Sequence, residues 1–280
     1  MTTIDAHQHV WDLSVREQDW IIGPELAPLR RDFGLDDLRP QAAAAGVDAT
    51  VLVQTVCVPE ETPEYLALAA DDRLVAGVVG WTDLTSPAVA DALAELRALP
   101  GGDRLVGIRH QVQSEDDPNW LLRSEADRGL AAVASAGLAY DLVPRPEQLP
   151  SAVAAARARP ELTFVLDHLG KPPVRPRRQD NWAADLRALA SLPNTVAKLS
   201  GLVTEADWHA WSLTDLRPFV SVALETFGPQ RLMFGSDWPV CTLAADYGQV
   251  VATSHELLAD LSEHERKEVF GGTASRVYHL

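Results

Sequence analysis

Residues 4–9 read Ile-Asp-Ala-His-Gln-His, and residues 234–239, near the other end of the chain, read Phe-Gly-Ser-Asp-Trp-Pro. In a β-strand the side chains at i and i+2 point to the same face, so the first stretch predicts Asp5, His7 and His9 on one side of a strand. The second stretch adds a carboxylate at the end of a last strand. The two strands are neighbours only if the sheet closes on itself.

Both stretches belong to an alternation of strands and helices that runs along the chain. Apolar runs predict strands at 3–9, 50–56, 75–81, 105–112, 138–143, 163–168, 195–201 and 231–237. Helical patterns occur at 36–46, 65–70, from Ser86 onward, and at 124–136, 146–159, 181–192, 215–227 and 248–261. Eight such alternations in 280 residues predict a (β/α)8 barrel, with residues 1–280 as one domain. The alternative is a doubly wound sheet, which would separate the first and last strands.

Two segments, 10–35 and 169–182, are rich in proline or charge and too long for ordinary turns. Each follows the carboxyl end of a predicted strand. Barrel enzymes build their active sites from loops at that end, so we expect both segments to contribute to a site.

The net charge and the number of cysteines limit which partners and structural classes are expected. A formal net charge of −16 argues against nucleic acid and anionic membranes. Only two cysteines, Cys57 and Cys241, occur, which excludes a disulfide framework or a cysteine-rich zinc site. The chain carries neither an N-terminal apolar signal segment nor an 18-residue apolar run, and we expect a cytoplasmic protein. The sequence does not indicate an oligomeric state.

Parity along each strand predicts which side chains point into the barrel, because outward positions lie beneath helices and are apolar. Val106 and Ile108 are predicted to point outward, so Arg109 points inward. On the first strand the same rule leaves Ile4 and Ala6 outside.

The second and last strands follow the same rule. Gln54 is predicted to lie inside together with Leu52. On the last strand, Met233, Gly235 and Asp237 share the inner face.

Charged and polar side chains thus gather inside the barrel. The predicted interior set is Asp5, His7, His9, Arg109, Asp141, His168, Lys198 and Asp237. Buried charges are costly unless they are paired or bind a metal. One interpretation is a structural plug, in which Asp5 pairs with Lys198 and Asp141 pairs with Arg109. The other is an active site, which explains better why these groups gather at strand carboxyl ends.

Five tryptophans fall near strand ends or in loops, and one or two of them are candidates to line a sugar-sized pocket: Trp11, Trp20, Trp81, Trp120 and Trp238. Trp81 and Trp238 are the two selected for this role. Trp182, Trp208 and Trp211 are predicted to pack on helices instead.

In this order, five motifs resemble the amidohydrolase superfamily. They are Asp-Ala-His-Gln-His at 5–9, Gly-Ile-Arg at 107–109, Asp-His-Leu-Gly-Lys-Pro at 167–172, Lys-Leu-Ser-Gly at 198–201 and Phe-Gly-Ser-Asp-Trp-Pro at 234–239. The resemblance extends to residue 278. It is strongest for the branch that contains sugar-acid lactonases, of the L-fuconolactonase and L-rhamnonolactonase types, and the pyrone-dicarboxylate lactonase.

The resemblance implies a hydrolase that opens a sugar-derived aldonolactone to the aldonic acid. Asp237 would be the general base acting on water, and His7, His9 and His168 would polarise the lactone carbonyl. Arg109 would hold the oxygen-rich part of the substrate. Further candidates for substrate binding are Lys198, Gln54, Trp81 and Trp238.

The resemblance also bears on metal binding. Strand 5 carries Asp141 and strand 4 carries Arg109, where metal-dependent members commonly have a histidine and some have a carboxylated lysine, so a binuclear centre is not expected. His7, His9 and Asp237 remain as ligands for one zinc or manganese ion with open positions. The alternative is a metal-free site in which the histidines donate hydrogen bonds.

Other activities stay open. Arg109, Lys171 and Lys198 could bind the carboxylates of a pyrone- or muconolactone-type substrate. A decarboxylase of aromatic acids and a non-catalytic binding protein are more distant alternatives. The tryptophan-rich strand ends and a single firmly inward arginine favour a neutral, polyhydroxylated lactone as the small-molecule substrate.

Overall fold

The computed structural model describes residues 2–175 and 180–280. Eight strands, paired in parallel with their neighbours in chain order, form one sheet. Their bounds are Ile4–Gln8 (β1), Ala49–Val53 (β2), Val75–Gly80 (β3), Leu105–His110 (β4), Ala139–Leu142 (β5), Phe164–Leu166 (β6), Thr195–Leu199 (β7) and Leu232–Phe234 (β8).

A helix follows each strand, and two more end the chain. The α-helices within the described residues are Leu35–Ala44 (α1), Glu61–Asp71 (α2), Val89–Ala98 (α3), Ser124–Ser135 (α4), Leu149–Ala158 (α5), Asp180–Ala190 (α6), Leu213–Phe227 (α7), Tyr247–Leu257 (α8), Glu263–Lys267 (α9) and Thr273–Tyr278 (α10). None of these is long and apolar enough to cross a membrane.

Backbone hydrogen bonds bring the last strand alongside the first. The amide of Asp237 donates to the carbonyl of His7 at 2.8 Å, and the amide of His9 donates to the carbonyl of Trp238 at 2.7 Å. The two motifs are therefore neighbours, as the sequence predicted. The fold is a (β/α)8 barrel, and the doubly wound alternative is wrong.

Apolar side chains form two layers, one inside the barrel and one between the strands and the surrounding helices. The inner layer contains Ile4, Ala6, Ala49, Val51, Val53, Val79, Ala139, Val165, Val196 and Met233, together with Ala274 and Tyr278 of α10. The outer layer, which includes Leu52 and Phe234, packs against the surrounding helices. The predicted faces of β8 are correct, whereas the predicted inward position of Leu52 is wrong.

A β-bulge interrupts β1, where the register with β2 shifts between Asp5 and Gln8. An extra residue in a strand restarts the alternation of faces. Ile4 and Ala6 therefore lie in the inner layer, and the predicted common face of Asp5 and the histidines is wrong. The carboxylate of Asp5 instead accepts a hydrogen bond of 3.1 Å from the hydroxyl of Tyr247 on α8.

The two long segments after β1 and β6 differ in form. Residues 10–34 cover the barrel end and are joined at their base by two backbone hydrogen bonds of 2.9 Å between Trp11 and Phe33. After β6, residues 167–170 form a short turn. The rest of the second predicted segment includes 176–179, which lie outside the described residues.

Candidate active site

Two histidines and an aspartate converge where β1 and β8 end. The Nε2 atoms of His7 and His9 lie 3.2 Å apart, and Oδ1 of Asp237 lies 3.7 Å from the first and 3.5 Å from the second. All three side chains are buried. Asp237 adopts a left-handed backbone conformation, with φ of 59°. Strained backbone of this kind clusters at functional sites.

The remaining ring nitrogens of the two histidines are held from behind. Nδ1 of His9 lies 2.7 Å from the carbonyl of Val53, and a carbonyl only accepts, so this nitrogen carries the proton. Nδ1 of His7 lies 3.2 Å from Oδ1 of Asp167 and 3.1 Å from Nζ of Lys198. Nδ1 of His7 is thus held between the Lys198 ammonium and the Asp167 carboxylate, and Nε2 of each ring faces Asp237.

Protonation follows from this environment. Burial lowers the pKa of His7 well below its ordinary value, in spite of the nearby Asp167 carboxylate. Burial alone would raise the pKa of Asp237, but the surrounding imidazoles of His168, His9 and His7 outweigh it and bring the pKa below its usual range. Asp237 is therefore an ionised carboxylate at neutral pH, able to accept a proton.

Lys198 lies beneath the histidines in a fully buried network of charges. Its Nζ is 2.5 Å from Oδ2 of Asp141 and 3.0 Å from Oδ1 of Asp167. The hydroxyl of Tyr278 donates to both oxygens of Asp141, at 2.9 and 2.8 Å. Burial raises the pKa of Asp141 to about 6, with the ammonium opposing it. The predicted pairing of Lys198 with Asp5 is wrong.

A left-handed turn presents His168 after β6. His168, Leu169, Gly170 and Lys171 all have φ between 51° and 70°, a conformation that costs non-glycine residues roughly 1–2 kcal/mol each. Nδ1 of His168 lies 2.9 Å from Oγ of Ser200. Burial lowers the pKa of His168 to about 4, so its ring is neutral at neutral pH.

Arg109 projects inward from β4, as parity predicted. Its Nη1 donates to Asp167 at 2.9 Å, and its Nη2 donates to Oε1 of Gln54 at 3.1 Å and to the Gln54 carbonyl. The predicted pairing with Asp141 is wrong. Within the described residues, the buried Nε–H of Arg109 has no hydrogen-bond partner.

These side chains face a cavity of about 220 Å³. Four of the predicted site residues line it, namely His9, Arg109, His168 and Asp237. His7 lies behind His9 and Asp237. The cavity is large enough for a small molecule and combines apolar walls with convergent polar groups, as ligand sites do.

The other predicted substrate-binding residues lie outside this lining. Lys198 is fully buried below the histidines, and Gln54 supports Arg109. Trp238 packs edge-to-face against Phe33, and Nε1 of Trp81 donates to His110 at 3.1 Å. Lys198 and Gln54 thus support site residues from outside the cavity, whereas the two tryptophans do not line it.

Several lining residues were not predicted from the sequence. They are Leu26, Thr55, Gln111, Gln113, Val143, Gly201, Thr204, Glu205, Trp208, Val240 and Leu243, whereas Trp20 and Lys171, which also line the cavity, were among the sequence candidates. Most come from loops, where parity carries no information. Trp208 was predicted to pack on a helix, but it lies in the β7–α7 loop. Proximity to strand ends could have indicated Gln111, Gln113 and Gly201.

The donor atoms fit one divalent cation. Two nitrogens bound tetrahedrally to one zinc ion at 2.0–2.1 Å would be about 3.3 Å apart, close to the 3.2 Å between Nε2 of His7 and Nε2 of His9. Donor atoms of His7, His168 and Asp237 also lie within 4.8 Å of one another. The carboxylate and carbonyl behind the two histidine rings are the partners that orient metal-binding imidazoles.

Together, the barrel and its site define a family. The model of the amidohydrolase family matches residues 4–280. This chain belongs to that family.

Close relatives are full-length matches. The L-fucono-1,5-lactonase of Burkholderia multivorans is 42% identical, over 99% of this chain and 96% of its own length. The L-fucono-1,5-lactonase of Burkholderia ambifaria is 38% identical, over 99% of this chain and 95% of its own length. A crystal structure of a Burkholderia multivorans amidohydrolase with bound zinc is 40% identical, covers both chains completely and has a TM-score of 0.95.

Proposed function

We propose that this protein hydrolyses an aldonolactone to its aldonic acid, with L-fucono-1,5-lactone as the first candidate substrate. The observation that carries the proposal is the buried carboxylate of Asp237, which lies 3.5 Å from Nε2 of His9 and lines the cavity. Two lactonases at 42% and 38% identity over nearly the whole chain support the substrate class.

Asp237 serves as the general base. Its carboxylate takes a proton from a water molecule as the oxygen attacks the lactone carbonyl carbon. When the ring C–O bond breaks, Asp237 returns this proton to the departing ring oxygen, which becomes a hydroxyl of the product. One water is consumed and one carboxylic acid is formed, which ionises at neutral pH.

Arg109 and His168 supply donors for the oxyanion that develops on the carbonyl. Both side chains line the cavity. Donors fixed before reaction stabilise transition-state charge without a reorganisation cost. Gln54 and Asp167 hold the guanidinium in place.

We further infer that His7, His9 and Asp237 hold one divalent metal, with zinc as the first candidate. The zinc in the Burkholderia multivorans structure supports this. Bound here, the ion would polarise the carbonyl and lower the pKa of a coordinated water. Asp167 and Val53 orient the two rings.

Acid release from a panel of aldonolactones tests the function. The panel contains L-fucono-, L-rhamnono-, L-arabinono-, D-galactono- and D-xylono-lactones, each corrected for spontaneous opening and measured with and without zinc or manganese. We expect kcat/KM of about 10⁴ M⁻¹s⁻¹ or more for one or two members. No turnover of any member would overturn the proposal.

A further inference from the structure

A second carboxylate faces the active-site cavity from the wall formed by the β7–α7 loop. Glu205 lines the same cavity as Asp237 and is only partly exposed. Among the residues that the structure describes, its carboxylate accepts no hydrogen bond and forms no ion pair. Burial raises its pKa, although Lys171 opposes this.

An unpartnered carboxylate at the wall of a confined site has its acceptor oxygens available to a ligand. The loop around Glu205 is well anchored, because Thr204 Oγ1 donates to the carbonyl of Gly201 and Trp208 Nε1 donates to the carbonyl of Thr204, each at 2.8 Å. Glu205 is thus held at the cavity wall on both sides.

We propose that Glu205 is a specificity-determining residue that accepts hydrogen bonds from hydroxyl groups of the lactone ring. This inference rests on the proposed function and adds the side of the cavity from which the hydroxyl groups of the substrate are recognised. A polyhydroxylated lactone offers several O–H donors to a carboxylate that has none from the protein.

The charge of the site selects against anionic lactones. Glu205 and Asp237 both line the cavity, and a substrate carboxylate placed between them would be repelled. The two cations that line the cavity are already engaged, because Arg109 pairs with Asp167 at 2.9 Å and Lys171 donates to Oε1 of Gln113 at 2.5 Å. The site therefore suits a neutral sugar lactone better than a dicarboxylate such as a pyrone-dicarboxylate lactone.

Single-deoxy analogues test the proposal. The most active aldonolactone and its mono-deoxy analogues are measured with wild type, Glu205→Gln, Glu205→Ala and the control Glu225→Gln, an exposed glutamate on α7. In wild type we expect one or two deoxy analogues to lose about tenfold or more in kcat/KM, because the unmatched carboxylate stays unpaired. In Glu205→Ala the same analogues should lose less than about threefold.

Thermal unfolding separates this role from a structural one. Removing an unpaired carboxylate should leave Tm unchanged or raise it in Glu205→Gln, whereas a structural residue would lower it. Equal deoxy penalties in wild type and both variants would overturn the proposal while leaving lactone hydrolysis intact. A wild type that turns over no aldonolactone would overturn both.

Discussion

The ammonium of Lys198 lies 2.5 Å from the carboxylate of Asp141, and both side chains are fully buried below the histidines of the site. The same ammonium contacts Asp167 and His7. A charge network beneath the cavity thus fixes the ring of His7, which in turn lies against Asp237. Stability and site geometry depend on the same side chains.

Replacing Lys198 should therefore be strongly destabilising. Lys198→Met leaves Asp141 and Asp167 as buried carboxylates without their ammonium partner, and breaking a buried pair from one side costs about 3–5 kcal/mol. Urea unfolding measures this loss. In the double variant with Asp141→Asn, part of the loss should be recovered, and strict additivity of the two single changes would contradict the pairing.

Gly201 should be needed for activity for two reasons: its left-handed backbone conformation and its lack of a Cβ beside His168. Gly201 has φ of +65°, and an added Cβ would lie 2.6 Å from Nδ1 of His168. Gly137 has φ of +66° with nothing within 4 Å of an added Cβ. Gly137→Ala should lose about 1–2 kcal/mol of stability, and Gly201→Ala should lose more, because its added Cβ also overpacks against His168. Only Gly201→Ala should also lose kcat, and equal kinetics in the two variants would contradict the contact.

The pKa of His168 predicts a dependence of stability on pH. Its value of about 4 in the folded state lies below the ordinary 6.5, so the unfolded chain binds this proton first as pH falls. Stability is unaffected above about pH 6.5 and decreases between there and pH 4, by ~2–3 kcal/mol at pH 4.5. Unfolding of wild type and His168→Gln at pH 7 and 4.5 measures the difference. If the free energy of unfolding changed equally with pH in wild type and His168→Gln, this would contradict a neutral, buried His168.

Zinc binding should require the imidazoles of His7 and His9. Calorimetric titration of metal-free protein should give one ion per chain in wild type, and a ligand that binds only the folded state should also raise Tm. His9→Ala removes one donor and should weaken binding by tenfold or more, by ~1.4 kcal/mol at least. His264→Ala, at an exposed position, is the control. Unchanged affinity in His9→Ala would exclude His9 as a ligand.

Sequence periodicity predicts the barrel well because side chains along each strand alternate between two environments. One set packs beneath the helices, and the other set lies inside the barrel. Arg109, Lys198 and Met233 follow this rule. Asp5 does not, because the bulge in β1 adds a residue that apolar patterning does not reveal. The motif residues His7, His9 and Asp237 nevertheless meet, since closure of the barrel depends on strand count and not on the bulge.

Most of the site residues that the sequence did not predict lie in loops. Trp208 and Glu205 lie in the β7–α7 loop, where side-chain direction depends on turns such as the one that Thr204 caps. Residue propensities likewise do not predict the left-handed backbone at His168 and Leu169, because non-glycine residues rarely adopt this conformation. Such positions are determined by the packed structure around them.

The most direct measurement compares acid release from L-fucono-1,5-lactone by wild type, Asp237→Asn and the exposed control Asp260→Asn. Asparagine keeps the shape of Asp237 but cannot accept the proton from water, so kcat/KM should fall by roughly 10²–10⁴-fold. Because the folded state stabilises the ionised carboxylate, Tm of Asp237→Asn should be somewhat lower than that of wild type while the variant stays folded at the assay temperature, and Asp260→Asn should behave as wild type. Near-normal turnover by a folded Asp237→Asn would contradict the assignment of Asp237 as the base.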